Sequence, residues 1–322
     1  RLPLGDGYQQ VFANPYMVVH RTDLYYPLLA ACRANSSIEL RTSCAVTGYS
    51  QNDLAASVNL ENGDVIDADV VLGADGIRSV IRGQLVGDGA PKVSGHTIYR
   101  TIVPMEQVPE DLRSNSVTLW AGRKWHFVHY PIASGKYMNL AATRDNQATE
   151  AVTGQAVASE VVFNEFSQLD SEAKRLMHLG DNWKEWVLCD RDPVDVWTDG
   201  RVTLLGDAAH PMLQYAAQGA CTALEDAVAL GHLLTGVSKE NVAACLQQYN
   251  GKRKDRTAKI VQTARDLGHD IYHATGQAAI ERNALLATMT KDDIHQTLAW
   301  LHGMRPPFID EETLEQESLK IA

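Results

Sequence analysis

The sequence is short of positive charge. Its 322 residues include 29 Lys and Arg against 40 Asp and Glu, which gives a formal charge of -11. Surfaces that bind nucleic acid or anionic membranes carry an excess of cations, so this balance argues against both kinds of partner. With 45% apolar and 21% charged residues, the composition is that of a globular protein, long enough for one large domain or two ordinary ones.

Long apolar runs and cysteine motifs are missing as well. No stretch approaches the roughly 18 apolar residues of a membrane helix, and residues 1–7 lack the apolar core of a signal peptide. The five cysteines are odd in number and include no Cys-x-x-Cys, so we expect buried, reduced thiols, no disulfide framework and no bound metal. These features predict a cytoplasmic protein.

The chain also lacks the Gly-x-Gly-x-x-Gly that opens a dinucleotide-binding βαβ unit. Gly5 and Gly7 come near it, but no third glycine follows and no strand pattern precedes them. The sequence starts without methionine, and residues 16–20 already read as a strand that runs into a helix over 24–32. We therefore expect one βαβ unit to lie upstream of this sequence.

Strand and helix patterns alternate in the first third of the chain. Residues 37–60 have β periodicity, and Asn62-Gly63 is a strong hairpin signal. Residues 69–72 form a short apolar strand of the kind buried on both faces of a parallel sheet, and an amphipathic helix begins at 77. This order predicts an α/β fold.

The middle of the chain has a different pattern. Residues 93–142 alternate like an antiparallel sheet, and 159–179 are helical in period. Residues 201–205 form a second short buried strand, after which helical patterns continue almost to the end. We expect an antiparallel sheet inserted into the α/β part, with helices following it.

Two predicted strand-to-helix junctions carry an acid next to a glycine. Asp75-Gly76 follows the first apolar strand, and Gly206-Asp207 follows the second. Either junction alone would be an ordinary turn. Ligands of α/β sheets bind at the carboxyl ends of the strands, where Asp accepts sugar hydroxyl protons and Gly lets backbone approach a phosphate or ring. Together the junctions predict a nucleotide cofactor site.

Residues 125–130 place titratable groups on one face of a strand. Because side chains alternate along a strand, His126 and Tyr130 share one face and His129 points to the other. An unperturbed histidine titrates near neutrality. We therefore expect His126 to be poised as a base and His129 to be a packing residue.

Several segments together resemble the single-component flavoprotein aromatic hydroxylases. In chain order they are His20-Arg21-x-x-Leu24, Asp75-Gly76-Ile77-Arg78, Gly206-Asp207-Ala208-Ala209-His210-Pro211, Gln218-Gly219-Ala220, Leu224-Glu225-Asp226-Ala227, and Tyr249 with Arg253 and Arg256 on a helix. The order and spacing match that family over nearly the whole chain.

The resemblance implies a Rossmann-like FAD-binding domain, incomplete at its N-terminus, over 19–92 and 192–240. It also implies a β-sheet substrate domain over 1–18 and 93–191, and a C-terminal helical region over 241–322. The amides that begin the helix near Gly219 would face the flavin N1 and C2 carbonyl. Cys221, where many relatives carry Asn, is expected to be a small packed residue. The implied FAD-binding residues are Arg21, Asp75, Gly76, Gly206, Asp207, Pro211, Gln218, Gly219 and Ala220.

Two features resemble the 3-hydroxybenzoate 6-hydroxylases within that family. They are His126-x-x-x-Tyr130 before a proline, and Gln214 where the wider family usually has proline. The resemblance implies hydroxylation of 3-hydroxybenzoate para to its hydroxyl, giving 2,5-dihydroxybenzoate, with NADH or NADPH as electron donor and a flavin C4a-hydroperoxide formed from O2. His126 would draw the phenolic proton, and Tyr130 and Gln214 would orient the ring.

Alternatives stay open at this point. A salicylate 1-hydroxylase shares the scaffold but decarboxylates its substrate to catechol, and product analysis separates the two enzymes. A non-catalytic flavoprotein-like fragment would lack the adenosine-binding unit, and the reading frame upstream of Arg1 would reveal it. The choice between NADH and NADPH, the residue that binds the substrate carboxylate and the existence of a homodimer are also open.

Overall fold

The computed structural model describes residues 5–305, except the side chain of Asp6. Residues 306–322 of the predicted C-terminal helical region lie outside the described residues. The strands are β1 (Val46–Gln51), β2 (Ala56–Leu60), β3 (Val65–Ala68), β4 (Val71–Gly73), β5 (Lys92–Pro104), β6 (Thr118–Gly122), β7 (Trp125–Ile132), β8 (Tyr137–Asp145), β9 (Thr153–Ala156), β10 (Lys184–Asp190), β11 (Thr198–Asp199) and β12 (Val202–Leu204).

The helices are spread along the whole described chain. They are α1 (Asp6–Phe12), α2 (Arg21–Ala34), α3 (Val80–Leu85), α4 (Ser159–Glu165), α5 (Ser171–Met177), α6 (Gly219–Leu234), α7 (Val242–Asp266), α8 (Gly276–Thr288) and α9 (Lys291–His302). A π-helical segment, Leu267–Tyr272, follows α7 directly. Short 3-10 turns include Gly206–Ala208 and Gln214–Ala216.

The chain forms two compact units. Unit 1 contains the described residues of 1–42, 93–188 and 268–293, and unit 2 those of 43–92, 189–267 and 294–322. By compactness, α7 belongs to unit 2 and α8 to unit 1. The C-terminal helical region over 241–322 stays a prediction. The division into an FAD-binding and a substrate domain stays a prediction, since compactness does not identify what a unit binds.

Unit 1 is built on a six-stranded sheet in the order β6-β7-β8-β5-β10-β9. Its central pairs are antiparallel, with Phe127 opposite Ala142 and Ala142 opposite Tyr99, as the alternation over 93–142 predicts. This row of the sheet faces a core that α4 and α5 complete. Burying a side chain such as Phe127 there contributes roughly 1.5–3 kcal/mol. The core also contains Val103, Met138, Leu140, Val162, Phe166, Leu176 and Trp183.

Two expectations for unit 1 are wrong. Residues 159–179 form two helices instead of one, because α4 ends at Glu165 and the carboxylate of Asp170 caps a new helix by accepting the amide N–H of Glu172. Residues 16–20 belong to no strand of the described chain, although the helix predicted over 24–32 forms as part of α2. An apolar alternation needs a neighbouring strand before it becomes part of a sheet.

Unit 2 contains two three-stranded sheets, β1-β2-β3 and β11-β12-β4. The predicted hairpin turn joins β2 to β3, with Gly63 at a φ of 89°. The β pattern predicted from residue 37 starts only at Val46, and 37–45 are loop. In β4, Val71 is buried but Leu72 is 40% exposed, so the expectation that this strand is buried on both faces is wrong.

The core of unit 2 joins β4 and β12 to α6 and α7. Val202, Leu204 and Leu246 are fully buried in it, together with Tyr249. The first turns of α7 therefore present an apolar face, as the period predicts, and buried polar residues such as Arg253 follow further along the same helix.

The thiols do not match the sequence expectation of burial. All five cysteines lie among the described residues and form no disulfide; Cys44 and Cys221 are exposed and the other three are half-buried. Among residues 5–305, no helix combines the length and apolar content that crossing a bilayer requires.

Candidate active site

Both predicted cofactor junctions leave the same edge of one sheet. β4 and β12 run parallel with Gly73 opposite Leu204, so Asp75 and Asp207 follow neighbouring carboxyl ends. In open α/β sheets, this edge is where ligands bind. The arrangement agrees with the site predicted from the two Asp-Gly pairs.

Glycine is required in both turns by the backbone. Gly76 has a φ of 77° and Gly206 a φ of 58°, values that L side chains rarely adopt. A Cβ added to Gly206 would also lie 3.3 Å from the Cβ of Ala223 on α6. The second turn therefore packs closely against α6, and a side chain there would meet both a strained backbone and a tight contact.

The two acids have different surroundings. Asp75 accepts hydrogen bonds from Ser79 Oγ at 2.5 Å and from the backbone N–H of Val80 at 2.8 Å, so it fixes the start of α3. Asp207 is exposed, and its Oδ1 lies 3.9 Å from where a Cβ on Gly219 would be. Both acids are exposed, but Asp75 is engaged at the start of α3, whereas Asp207 lies beside the beginning of α6.

The N-terminus of α6 offers hydrogen-bond donors. The helix begins at Gly219 after the buried Gln218, no side chain caps it, and Ala220 and Cys221 are exposed. The first amides of a helix have no intrahelical acceptor and carry the positive end of its dipole. An acceptor carboxylate next to exposed amides fits the ribityl hydroxyls and the polar ring edge of a flavin. The expectation that Cys221 is packed is wrong.

A fully buried carboxylate, Asp226, holds the Gly206 turn in place. Its Oδ2 accepts the backbone N–H of Gly206 at 2.9 Å and lies 2.6 Å from His210 Nε2, while its Oδ1 accepts Arg253 Nε at 2.8 Å. Burial raises the pKa of Asp226, but His210 and Arg253 lower it by more, so it lies below its ordinary value. The charged carboxylate therefore links α6, α7 and the turn.

Neighbouring residues extend this network. Arg253 and Arg256 of α7 both bind the carboxylate of Glu225, at 2.7 and 2.8 Å, and the Tyr249 hydroxyl donates to the Leu204 carbonyl at 3.2 Å. These residues belong to the motifs that suggested a flavoprotein. Their contacts are with protein groups, which gives them a structural role behind the cofactor edge.

Pro211 and Gln214 lie in the loop between this turn and α6. Pro211 is buried, and Gln214 is half-buried at the start of a 3-10 turn that ends before Ala217, a residue with a φ of 52°. Gln214 and every predicted FAD residue except Arg21 belong to unit 2, whereas Arg21, His126 and Tyr130 belong to unit 1.

In unit 1, His126 is buried beneath two aromatic side chains. It is 2% exposed, its Nδ1 lies 2.9 Å from His273 Nε2, and the Tyr272 ring packs edge-on at 4.7 Å between centroids. Burial lowers the pKa of His126 well below 6.5, and His273 and His96 lower it further. The expectation of a base poised near neutrality is therefore wrong.

His129 lies on the opposite face of β7, as the alternation predicts. Trp120 of β6, the residue opposite Phe127, donates its Nε1–H to His129 Nε2 at 3.1 Å. The Phe127 and His129 rings lie 5.6 Å apart between centroids. Burial lowers the pKa of His129 to about 4. It is a core residue that stays neutral at ordinary pH.

Sequence reasoning missed Arg100, which shares the sheet face of His126 and Tyr130. Arg100 on β5 is opposite Ala141 of β8, which is opposite Val128 of β7, the residue between the two. Arg100 is exposed, and its guanidinium lies 5.9 Å above the Trp186 ring. The period-two position of Arg100 in 96–102 is the signal that could have found it.

Tyr130 and Arg21 are the titratable groups that act on the charge of Arg100. Although Arg100 is exposed, nearby protein atoms lower its pKa by desolvation; Tyr130 raises that pKa and Arg21 lowers it. Arg21 is the exposed first residue of α2. Unit 1 therefore brings together a buried imidazole, a half-buried phenol and two cations.

Comparisons with known proteins agree with the motifs. A family model described as FAD binding domain matches residues 8–264. The chain is 45% identical over 302 residues to 3-hydroxybenzoate 6-hydroxylase 1 of Aquipseudomonas alcaligenes, covering 94% of this chain and 76% of that protein. It is 38% identical over 303 residues to 3-hydroxybenzoate 6-hydroxylase of Polaromonas naphthalenivorans (strain CJ2), covering 94% and 75%. A solved salicylate hydroxylase substrate complex matches with a TM-score of 0.76 at 25% identity, over 89% of this chain and 73% of that one.

Proposed function

Because this chain belongs to the FAD-dependent aromatic hydroxylases, the family of the 3-hydroxybenzoate 6-hydroxylases, we propose that it converts 3-hydroxybenzoate to 2,5-dihydroxybenzoate with FAD, O2 and NADH or NADPH. The structural observation that carries this proposal is the sheet face of β5, β8 and β7. It holds an imidazole, a phenol and a guanidinium, at His126, Tyr130 and Arg100. A hydroxybenzoate needs a base for its hydroxyl and a cation for its carboxylate.

The FAD would be held by residues of both predicted cofactor motifs. Asp207 would accept hydroxyl protons of the ribityl chain, and the first amides of α6, from Gly219, would donate to the polar edge of the ring. For Gly76 and Arg21, contact with FAD stays a prediction based on the motifs. Bound FAD supplies electron transfer from the nicotinamide and the activation of O2 for oxygen transfer to the ring.

The spacing of the sheet suits a ring substituted at positions 1 and 3. β5 and β7 flank β8, so their backbones lie about 10 Å apart. Arg100 can therefore donate hydrogen bonds to the carboxylate at one end of a substrate while His126 accepts one from the hydroxyl at the other end. A bidentate guanidinium also fixes the plane of a carboxylate.

Removing the phenolic proton activates the ring. A free phenol has a pKa near 10 and is mostly un-ionised at neutral pH. Withdrawal of the proton by His126, with the hydroxyl of Tyr130 orienting the oxygen, would make the ortho and para carbons of the ring electron-rich. The role of Gln214 in orienting the ring stays a prediction of the motif. The carbon para to the hydroxyl is ortho to the carboxylate, so attack there gives 2,5-dihydroxybenzoate.

The test is a product analysis. The purified chain, supplied with FAD, is incubated in air with NADH or NADPH and either 3-hydroxybenzoate or salicylate, and products are resolved by chromatography. We expect 2,5-dihydroxybenzoate from 3-hydroxybenzoate. Absence of any oxygenated product from both acids would overturn the proposal.

The second candidate, a salicylate 1-hydroxylase, is supported by the match to the salicylate hydroxylase complex. In salicylate the hydroxyl and carboxylate are adjacent, so they would not extend from His126 to Arg100 across β8. We therefore rank it second. Catechol from salicylate, with no dihydroxybenzoate from 3-hydroxybenzoate, would reverse this order.

A further inference from the structure

We propose that Asn139 of β8 is a specificity-determining residue, whose side-chain amide donates a hydrogen bond to the substrate carboxylate beside Arg100 and fixes its position. The face of the six-stranded sheet that carries His126, Tyr130 and Arg100 is called the substrate face below. The inference rests on the proposed function, because it names the group that selects among isomeric hydroxybenzoates at the same site.

Strand register places Asn139 between residues already described. Asn139 is directly opposite Tyr130 of β7 on one side and Ile102 of β5 on the other. Ala141, two residues further along β8, shares its face and is opposite Arg100. Opposite residues have Cβ atoms about 5 Å apart, and diagonal neighbours lie about 7–8 Å apart, within reach of a long side chain. Asn139 is therefore next to Tyr130 and diagonal to Arg100.

The side-chain amide of Asn139 is available to a ligand. The residue is half-buried, and no hydrogen bond joins its side chain to another residue within 5–305. The Tyr130 hydroxyl also forms none within the described part of the chain. Asparagine is depleted inside strands, and a partly buried amide without a partner adds nothing to the stability of a sheet. A ligand that accepts its N–H supplies the missing partner.

The surroundings of Asn139 on the substrate face suit an aromatic ring. Ile102 and Tyr137 are exposed there, although both belong to central strands of the sheet. On the other face of the same strands, Met138 and Leu140 are fully buried in the core that α4 and α5 complete. An apolar surface with a few polar groups is typical of a small-molecule site.

Arg100 and Asn139 would contribute different properties to carboxylate binding. Arg100 is exposed and long, so its guanidinium attracts an anion and can follow it over a range of positions. Asn139 is short and half-buried, so its amide stays close to the backbone of β8. Arg100 therefore selects the charge of the carboxylate, and Asn139 selects its position relative to the hydroxyl.

The small side chain between the polar groups determines where the ring lies. Ala141 and Val128 are opposite each other in the row between Asn139 and His126, and both are half-buried. A ring above Ala141 can present its hydroxyl to β7 and its carboxylate to Asn139. The para isomer, 4-hydroxybenzoate, places the carboxylate further from the hydroxyl and does not satisfy both contacts.

The first test compares two isomers. Asn139→Leu keeps the size of the side chain but cannot hydrogen-bond, and Asn164→Leu on the exposed surface of α4 is the matched control. Binding to the FAD-supplied chain is measured by isothermal titration calorimetry. We expect Asn139→Leu to raise the Kd for 3-hydroxybenzoate roughly tenfold, as for a lost hydrogen bond to a charged group, and to leave that for 4-hydroxybenzoate nearly unchanged. Equal changes for the two isomers would overturn the proposal.

The second test uses Asn139→Asp, which preserves the shape of the side chain in case the leucine variant does not fold. The new carboxylate should raise the Kd for 3-hydroxybenzoate further than Asn139→Leu does, because it repels the substrate anion. It should lower the Kd for 3-hydroxybenzamide, whose N–H it can accept. Asn164→Asp adds the same charge on α4, which covers the opposite face, and should change neither value. Equal effects of Asn139→Asp and Asn164→Asp would overturn the proposal.

The role of Asn139 and the proposed function can fail separately. If the wild type binds 3-hydroxybenzoate but forms no oxygenated product, the proposed function fails, whereas the Kd values still decide the role of Asn139. If the wild type forms 2,5-dihydroxybenzoate and Asn139→Leu binds both isomers like the wild type, the function stands and the role of Asn139 is overturned. A wild type that binds neither isomer would overturn both.

Discussion

The carboxylate of Asp226 and the guanidinium of Arg253 form a hydrogen-bonded ion pair at 2.8 Å, with both side chains fully buried. The same carboxylate accepts the backbone N–H of Gly206, so the pair fixes the turn that presents Asp207. Charges buried this deeply are tolerated only when every partner is in place.

Replacing one member of this pair should therefore be costly. We expect Asp226→Asn to lower the free energy of unfolding by about 3 kcal/mol, because it removes the buried negative charge beside Arg253 and leaves that guanidinium with only the partly buried carboxylate of Glu225 as its counter-ion. Urea denaturation measures this loss. The control is Asp111→Asn, which breaks an exposed ion pair with Arg175 and should change stability little. Equal losses in the two variants would contradict the role of the buried pair.

The same pair predicts an acid-side effect. The pKa of Asp226 lies below its ordinary value in the folded state, so its charge stabilises the fold above about pH 4, and that stability is lost as the pH falls further. Asp226→Asn should show a weaker pH dependence in this range.

Substituting Asp75 and Asp207, the two predicted cofactor acids, should affect different properties of the protein. Asp207→Asn should weaken FAD binding with little change in thermal stability, because the side chain is exposed beside the start of α6. Asp75→Asn should lower thermal stability, since both carboxylate oxygens accept hydrogen bonds at the start of α3. FAD titration by fluorescence and thermal melts measure the two effects. Identical behaviour of the variants would contradict this distinction.

His126 and His129 provide a test on opposite faces of one strand. We expect His126→Ala to slow hydroxylation by roughly 100-fold or more, while NADH oxidation continues and releases hydrogen peroxide. His129→Ala should mainly reduce stability, because it removes the acceptor of the Trp120 N–H in the core. Product yield per NADH, measured beside a thermal melt, distinguishes them. If His129→Ala were the variant that oxidises NADH without forming product, the assignment of His126 as the base would be wrong.

Arg100 should strengthen the binding of negatively charged ligands but not that of uncharged ones. We expect Arg100→Ala to raise the Kd for 3-hydroxybenzoate roughly 10- to 100-fold, the equivalent of a hydrogen bond to a charged group, and to leave the binding of uncharged resorcinol nearly unchanged. Arg123→Ala, at an exposed position between β6 and β7, is the control. Equal weakening of both ligands by Arg100→Ala would exclude a carboxylate contact.

Buried histidines should make the fold sensitive to moderate acid. The pKa values of His129 and His273 are held at about 4 by burial, whereas an unfolded histidine titrates near 6.5. The unfolded chain therefore takes up protons first, and stability falls as the pH drops from about 6.5 to about 4, by up to roughly 1.4 kcal/mol per pH unit for each histidine. His129→Gln should reduce this slope in urea titrations, and His269→Gln should not.

Local patterns were enough to predict much of this molecule. Side-chain direction in a strand is a local property, so alternation alone placed His126 and His129 on opposite faces of β7. The motifs identified the FAD-dependent hydroxylase family and its α/β fold class, which the match over residues 8–264 confirms. The roles of individual FAD-binding residues stay predictions.

Properties that depend on distant contacts could not be predicted in this way. The low pKa of His126 arises first from its burial and then from His273, which lies 147 positions away and follows a π-helical turn with no sequence signature. The contacts of Asp75 were missed for a different reason. An Asp at a strand-to-helix turn can either accept hydrogen bonds at the start of the helix or bind a cofactor, and the sequence does not distinguish these two roles. Arg100 was overlooked because a single cation in a long strand has no motif around it.

The parallel pairing of β4 with β12 also affects how the cofactor edge forms. The residues paired there lie about 130 positions apart, whereas the β2–β3 hairpin closes a loop of four residues. By polymer statistics, closing the longer loop costs about 3 kcal/mol more in chain entropy. Most of the intervening chain belongs to unit 1, where the neighbouring strands β6, β7 and β8 are joined by short turns. Contacts between near neighbours form sooner than distant ones, so on this basis the β6–β7–β8 part of the sheet precedes the β4–β12 pairing in the order of folding.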